Sequence, residues 1–468
     1  MLTLDGAATI PLYQQLYDQL RELIMSGKLP ADSRLPSVRE LVLELSVSRN
    51  TVEGAYQELY AEGYIYSKPR SGYYVSPLDQ EAAPHALTRK PRSVAAPTIT
   101  QPDYRYDFHP ARLDPLSFPR ELWRKCFVDS LRENPAELVQ YGDPQGELKL
   151  RRGIRQYLER SRGVDCEPEQ IFVCAGLQQS LDLAAQLVRG DHSVLALENP
   201  GYFLPRSVFL NHGFEVLPVP VGASGLDLDC LRATSATLAY VTPSHQLPLG
   251  CVMPVANRLK LIDWAQSGGR FIIEDDYDSE LRYHGKPIPS LQGLRPDGNI
   301  IYAGTFSKVL SPALRLSYLV LPQSLLEGYR RQFRDYFCTV SLLEQRTLAR
   351  FIELGHWERH VRRMRTVYKK KHDLLVRAIE RQLGARVQLS GQGAGLHLVA
   401  ELAAPAPGEA ELVERARLKG IRLLPFSDFY HAGKPERTTL LLGFGGMAAQ
   451  EIEPAVELLA RICDGEHF

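Results

Sequence analysis

The chain has 468 residues, too many for a single core, and its 44% apolar and 24% charged residues are ordinary for a globular protein of two or three domains. Lys/Arg and Asp/Glu balance at 55 each, so net charge names no partner. The opening MLTLDGAATIPLYQQL lacks the order of a secretory signal, no apolar run reaches the roughly 18 residues of a membrane span, and the seven cysteines are scattered without a Cys-x-x-Cys pair; a cytoplasmic protein with no disulfide framework and no structural zinc is expected.

In chain order, PLYQQLYDQLRELIMSG sets Leu12, Leu16, Leu20, Leu23 and Ile24 on one face of a helix that stops at Gly27. Ser37 with Glu40 three residues on is a capping-box pattern and predicts the start of a second helix in SVRELVLEL. After a break at SVS, RNTVEGAYQELYAEG predicts a third helix ending at Gly63. YIYSKPRSGYYV alternates about a Pro/Gly turn, as a two-stranded ribbon does. Three short helices and a ribbon make a winged helix-turn-helix over residues 1–75.

The start of a recognition helix enters the major groove, where short polar and basic side chains are wanted. Ser48, Arg49, Asn50 and Thr51 supply them: Arg49 suits guanine, and Asn50 suits adenine or a phosphate. Arg34 and Arg39 flank the preceding helix, whose cap Ser37 is counted with the DNA-facing set. Lys68 and Arg70 sit at the ribbon tip, within reach of backbone phosphates. Residues 1–75 nevertheless carry seven Lys/Arg against nine Asp/Glu. DNA binding must therefore rest on a few well-placed cations, and the competing reading is a helical protein-interaction module. The run from PLYQQLYDQLRELIMSGKLPADSRLPSVREL through SRNTVEGAYQELYAEGYI to PRSGYYV resembles the GntR-type winged-helix domain nearly end to end.

From Ser76 to Asp103 five prolines and several alanines, without apolar periodicity, predict a linker. Beyond it, IFVCA, SVLALE, TLAYVTP, FIIEDDY, IYAGTF and RLSYLVLP read as strands alternating with helical text. The expected fold for 104–468 is α/β, a mainly parallel sheet covered on both faces, with its site at the carboxyl ends of the strands.

Each motif stands at such an end. IFVCA runs into Gly176, Leu177 and Gln178, whose backbone N–H groups open a helix and suit an anion. ENPGYFLP turns at Pro200 and Gly201 and presents Tyr202, an aromatic able to stack on a flat ring. FIIEDDYDSE ends in carboxylates with no set spaced for a metal, so a buried acid partnered by a cation is the better reading. In GTFSKVLSPALR, Lys308 follows the hydroxyls of Thr305 and Ser307, and Arg315 adds a planar fork. An amine, two hydroxyls and a guanidinium together suggest an aldehyde cofactor bearing a phosphate, pyridoxal 5′-phosphate.

These elements resemble fold-type I pyridoxal-phosphate enzymes of the aspartate aminotransferase class. With the amino-terminal domain, the whole chain is similar to MocR/GabR-type transcriptional regulators. The resemblance implies a Schiff base on Lys308, pairing of Asp275 with the pyridine nitrogen, Tyr277 on the ring hydroxyl, and Tyr202 over the ring. It further implies phosphate contacts from Thr305, Ser307, Arg315 and the Gly176–Leu177–Gln178 turn, and a homodimer in which Tyr141 reaches the partner's phosphate. Leu247 stands where transaminases carry asparagine and Leu441 where they carry arginine, with His245 or Gln246, and Arg437 or Arg422, as candidate substitutes. The expected function is a regulator that binds operator DNA and senses an amine or amino-acid effector, or the cofactor itself. The competing reading is an active aminotransferase with an accessory DNA-binding domain.

Overall fold

The computed structural model describes residues 2–6, 8–77, 104–190, 193–283 and 288–465. The chain divides into two compact units, Met1–Thr100 and Gln101–Phe468. Most of the expected linker, from residue 78 to 103, lies outside the described residues.

In the first unit, α1 (Leu12–Met25), α2 (Val38–Leu45) and α3 (Arg49–Ala61) precede the antiparallel ribbon of β1 (Ile65–Lys68) and β2 (Gly72–Val75). The capping box forms: the Ser37 hydroxyl accepts from the Glu40 N–H at 3.2 Å, and the Glu40 carboxylate accepts from the Ser37 N–H at 2.6 Å. The SVS break is made by Ser46, left-handed at φ 53, which ends α2. Leu16, Leu20, Ile24, Leu41, Val52, Leu59, Ile65 and Val75 close the core. Leu12 and Leu23, expected on the inner face, are only half-buried. Tyr17 takes that place, its hydroxyl donating to Glu62 at 2.5 Å, a polar handle that an apolar-periodicity reading passes over.

The second unit is built on a sheet whose strands, in chain order, are β3 (Ile171–Cys174), β4 (Val194–Asn199), β5 (Glu215–Gly222), β6 (Leu238–Val241), β7 (Phe271–Asp276), β8 (Ile300–Thr305) and β9 (Ser317–Val320). Their spatial order is β3-β9-β8-β7-β6-β4-β5, with the short strand Gly225–Leu226 beside β5. Strands β5, β4, β6, β7 and β8 run parallel; β9 is antiparallel to both of its neighbours. Leu238 and Tyr240 enter one apolar cluster while Ala239 and Val241 enter another, and Ile273 and Ile272 divide the same way. Both faces are therefore buried, which is why these strands read as unbroken apolar runs. Helices α4 (Leu148–Arg162), α5 (Leu177–Val188) and α6 (His356–Gln382) belong to the cover. A separate antiparallel sheet of β10 (Val387–Ser390), β11 (His397–Leu402) and β12 (Thr439–Gly443) follows. Among the described residues no helix is long and apolar enough to cross a membrane.

Candidate ligand site and DNA-facing surface

The carboxyl end of β7 delivers three consecutive acids with three different fates. Glu274 accepts the backbone N–H groups of Leu291 at 2.8 Å and Gln292 at 3.1 Å, and burial pushes its carboxyl up to about 7. Burial alone would also raise Asp276, but the Arg162 guanidinium at 2.6 Å and the Tyr302 and Ser279 hydroxyls hold it below the ordinary carboxylate range. Asp275 is left with one partner, the Tyr240 hydroxyl on Oδ2; its Oδ1 is buried with none among the described residues. Burial pushes Asp275 up to about 7. Of the three acids, only Asp275 has a carboxylate oxygen without a hydrogen-bond donor among the described residues.

Lys308 follows β8, the parallel neighbour of β7. Its Nζ lies 5.6 Å from the centre of the Tyr277 ring and donates to the Pro110 carbonyl at 3.3 Å. Burial lowers its pKa, opposed by the charges of Asp278 and Asp275, so burial favours the neutral amine. The Tyr277 hydroxyl stands 3.2 Å from His245 Nδ1, which is 2.8 Å from Asp278 Oδ2. A carboxylate only accepts, so the Nδ1 proton goes to Asp278, whose carboxylate also bonds the Tyr277 hydroxyl. His245 Nε2 is buried without a partner among the described residues, and its ring is 5.0 Å from that of His397.

An anion cradle sits at the other end of the site. Gly176, at φ +84, caps α5 with no side-chain bond, so the first N–H groups of that helix, those of Leu177 and Gln178, lack a side-chain cap. Register sets Thr305 opposite Ser317 and Ser317 opposite Cys174, bringing the two loops together. A Cβ built on Gly176 would come within 2.0 Å of the Arg315 guanidinium, so the two are in contact. Thr305 Oγ1 accepts from the Ser307 N–H at 3.1 Å. Tyr202 is partly buried between these ends: burial raises its hydroxyl, Asp275 adds to the shift and Arg315 opposes it.

Tyr141 is not brought into this set within one chain. It is 83% exposed, stacked on Phe337 at 4.3 Å, beside exposed Val139 and Tyr336. Leu247 and Leu441 are buried with Tyr277, Val399, Phe426 and Phe429 in one apolar cluster. Of the candidate substitutes, Arg437 is exposed and pairs with Glu401 at 2.8 Å, and Arg422 lies 3.5 Å from Asp107. Gln246 is committed to the Pro200 and Leu247 carbonyls and to the Leu249 N–H, whereas His245 reaches Tyr277. Nothing in the sequence marks Tyr240, His397 or the Pro110 carbonyl as site groups. Lone polar residues in apolar strands and a backbone oxygen carry no pattern. Among the described residues no group of three or more His, Cys, Asp or Glu is placed to hold a metal.

On the first unit, Arg34, Ser37, Arg39, Ser48, Arg49, Asn50, Lys68 and Arg70 are exposed and Thr51 is half-buried. Ser48 caps α3 by accepting the Thr51 N–H at 3.2 Å. Arg49 Nε pairs with Glu53 at 2.8 Å on the same helix. Lys68 lies over the Tyr74 ring at 4.3 Å, and Arg70 holds the turn at φ 62.

Residues 12–75 match the model of bacterial regulatory proteins of the gntR family, and 121–459 match that of aminotransferase class I and II. The HTH-type transcriptional regulator YdeL of Bacillus subtilis, itself described as uncharacterized, is 40% identical over 97% of both chains. The "probable rhizopine catabolism regulatory protein MocR" of Rhizobium meliloti is 36% identical over 98% of this chain and 95% of its own. The HTH-type pyridoxine biosynthesis transcriptional regulator PdxR of Corynebacterium glutamicum is 32% identical over 92% and 91%. Among solved structures, the kynurenine aminotransferase of Pyrococcus horikoshii superposes with a TM-score of 0.70 at 25% identity, covering 78% of this chain and 91% of that one.

Proposed function

We propose, from the premise that the chain belongs to the MocR-type transcriptional regulators, in which a gntR-family domain is fused to a class I and II aminotransferase domain, that pyridoxal 5′-phosphate held at Lys308 is its signal-reading element. The effector is an amine or amino acid, or the cofactor itself. The observation that carries this reading is the unpartnered, buried Asp275 Oδ1 beside a lysine that burial drives toward the neutral form. A pyridinium N–H supplies the donor that oxygen lacks, and that proton would hold Asp275 ionised, against its burial.

When bound, the cofactor supplies an aldehyde that condenses with primary amines. The chain's own residues do the rest. Lys308 offers its amine, whose neutral form burial favours; Tyr277 faces the ring oxygen; Tyr202 covers the ring. Arg315, Thr305, Ser307 and the N–H groups after Gly176 hold the phosphate, and Tyr141 serves the site of a second copy. When an effector amine takes its place, Lys308 Nζ has an acceptor waiting in the Pro110 carbonyl. Pro110 belongs to the described segment that begins at Tyr104, the first after the linker. Arg49 and Asn50 at the start of α3 read the operator, with Arg34, Arg39, Lys68 and Arg70 on phosphates.

Leu441 and the apolar side chains packed with it favour sensing over turnover, since a leucine stands where a guanidinium would be needed to grip an α-carboxylate. Titrating purified protein with amines, amino acids and keto acids while following the cofactor's absorption tests the reading. A change that saturates, with no product beyond one equivalent, supports a sensor. Continuous keto-acid formation replaces it with an aminotransferase.

A further inference from the structure

The inner face of α6 buries Trp357, Met364, Tyr368, Leu375 and Ile379. Its outer face carries Arg359, Arg362, Arg363, Lys370 and Arg377, all exposed and all within a stripe about 100° wide at 3.6 residues per turn. Among the described residues none of the five is in an ion pair; Asp373 and Glu380 share the stripe, and Asp373 pairs with Lys369 at 2.9 Å. Arg359 donates only to the Leu354 carbonyl and His356, and Arg363 only to the Leu116 carbonyl. Several other exposed arginines pair with acids, Arg124 with Glu121, Arg381 with Glu453 and Arg417 with Glu414; the stripe gathers five cations without such a pair on one helix face.

It also runs between two basic concavities. One, of about 790 Å³ between α4 and α6, is lined by Lys149, Arg152, Arg160, Arg359 and Arg362 against two glutamates. The other, of about 400 Å³, is lined by Arg365, Lys369, Lys370 and Arg377 against Asp373 alone. The winged-helix unit, by contrast, has more acids than bases, nine to seven over residues 1–75. A duplex held by that unit alone would meet few cations, although phosphate neutralisation dominates affinity for DNA.

We infer that the α6 stripe is a second DNA surface, one that takes the phosphate backbone without reading sequence. The inference rests on the DNA-binding part of the proposed function and needs nothing of the cofactor. From Arg359 to Arg377 the helix rises ~27 Å, roughly eight steps along one strand at ~3.4 Å each. Planar guanidinium forks, four of the five cations, suit phosphate oxygens.

The test is the salt dependence of full-length protein binding a random-sequence duplex of about 60 base pairs between roughly 50 and 200 mM KCl. The variant Arg362→Gln/Lys370→Gln/Arg377→Gln removes three unpaired, exposed charges and should keep the thermal midpoint. Its slope of log K against log salt should be shallower by about 3, at ~0.9 for each phosphate that is no longer neutralised. Wild-type binding with an unchanged slope in the variant overturns the stripe and leaves it to solvent or an acidic protein. Failure of the wild type to bind duplex at low salt overturns the DNA-binding reading as well.

Discussion

The guanidinium of Arg315 lies so close to Gly176 that a Cβ on the glycine would stand 2.0 Å from Nη2. Gly176 is also at φ +84, where a side chain is strained whatever the space. Gly176→Ala must therefore displace the fork that the proposed phosphate cradle needs. Affinity for pyridoxal phosphate, followed by fluorescence quenching, should fall about 10- to 100-fold, or ~1.4–2.7 kcal/mol. Added to Arg315→Ala, the same change should cost much less, because the guanidinium is already gone. Full additivity would show that the two residues do not act on one ligand group.

Asp275 sets a pH dependence whose sign is opposite to that of a salt-bridged acid. Its folded pKa, about 7, lies above the ordinary value near 3.8. The folded protein thus binds a proton that the unfolded chain releases, and the stability this contributes is present below the ordinary value and lost as pH rises through about 7. Asp275→Asn removes that loss. Without cofactor, the variant should melt higher than wild type at pH 8, by a few kcal/mol in stability, and near wild type at pH 4. With cofactor, it should bind more weakly at pH 8. A variant less stable than wild type at pH 8 would mean that the charged form is welcome in the empty site.

Both units and the sheet were legible in the sequence because patterning and burial coincide there. Unbroken apolar runs became strands buried on both faces, and Ser37 with Glu40 became a real cap. Gly176, Asp275, Tyr277 and Lys308 stand at or within three residues of the carboxyl ends of strands, as the sequence led one to expect, because chain position fixes that much. What escaped notice joins distant segments. The Asp275–Tyr240 bond, the His245–Asp278 pair and the Lys308–Pro110 contact each span two elements, with no spacing to announce them. Tyr141 is 83% exposed and stands outside the set that one chain brings together.

Arg49 begins as the partner of Glu53 and must exchange that carboxylate for DNA. An exposed i,i+4 pair is worth only ~0.3–0.5 kcal/mol, so the exchange is cheap. Glu53→Gln should cost the helix about that much and tighten binding to any duplex a few-fold, by removing a negative charge from the groove. Arg49→Ala should weaken operator binding about 10- to 100-fold, matching ~1–3 kcal/mol for a bidentate base contact. Gel-shift titrations against operator and random duplex separate the two effects. Unchanged operator affinity in Arg49→Ala would move recognition away from the start of α3.

Leu441 is 1% exposed and packed with Val399, Phe426 and Phe429; the resemblance to transaminases puts their carboxylate-gripping arginine at this position. The obvious repair, Leu441→Arg, buries a guanidinium among apolar side chains. An unpaired buried charge costs ~3 kcal/mol or more, so the variant should melt well below wild type. Leu441→Met conserves volume and should cost less than about 1.5 kcal/mol. Neither should form keto acid from amino acids beyond a single turnover. That outcome would show that one substitution at Leu441 does not confer turnover. If Leu441→Arg instead stays as stable as wild type and turns over, the arginine alone separated this chain from an aminotransferase, and the sensor reading loses its main structural support.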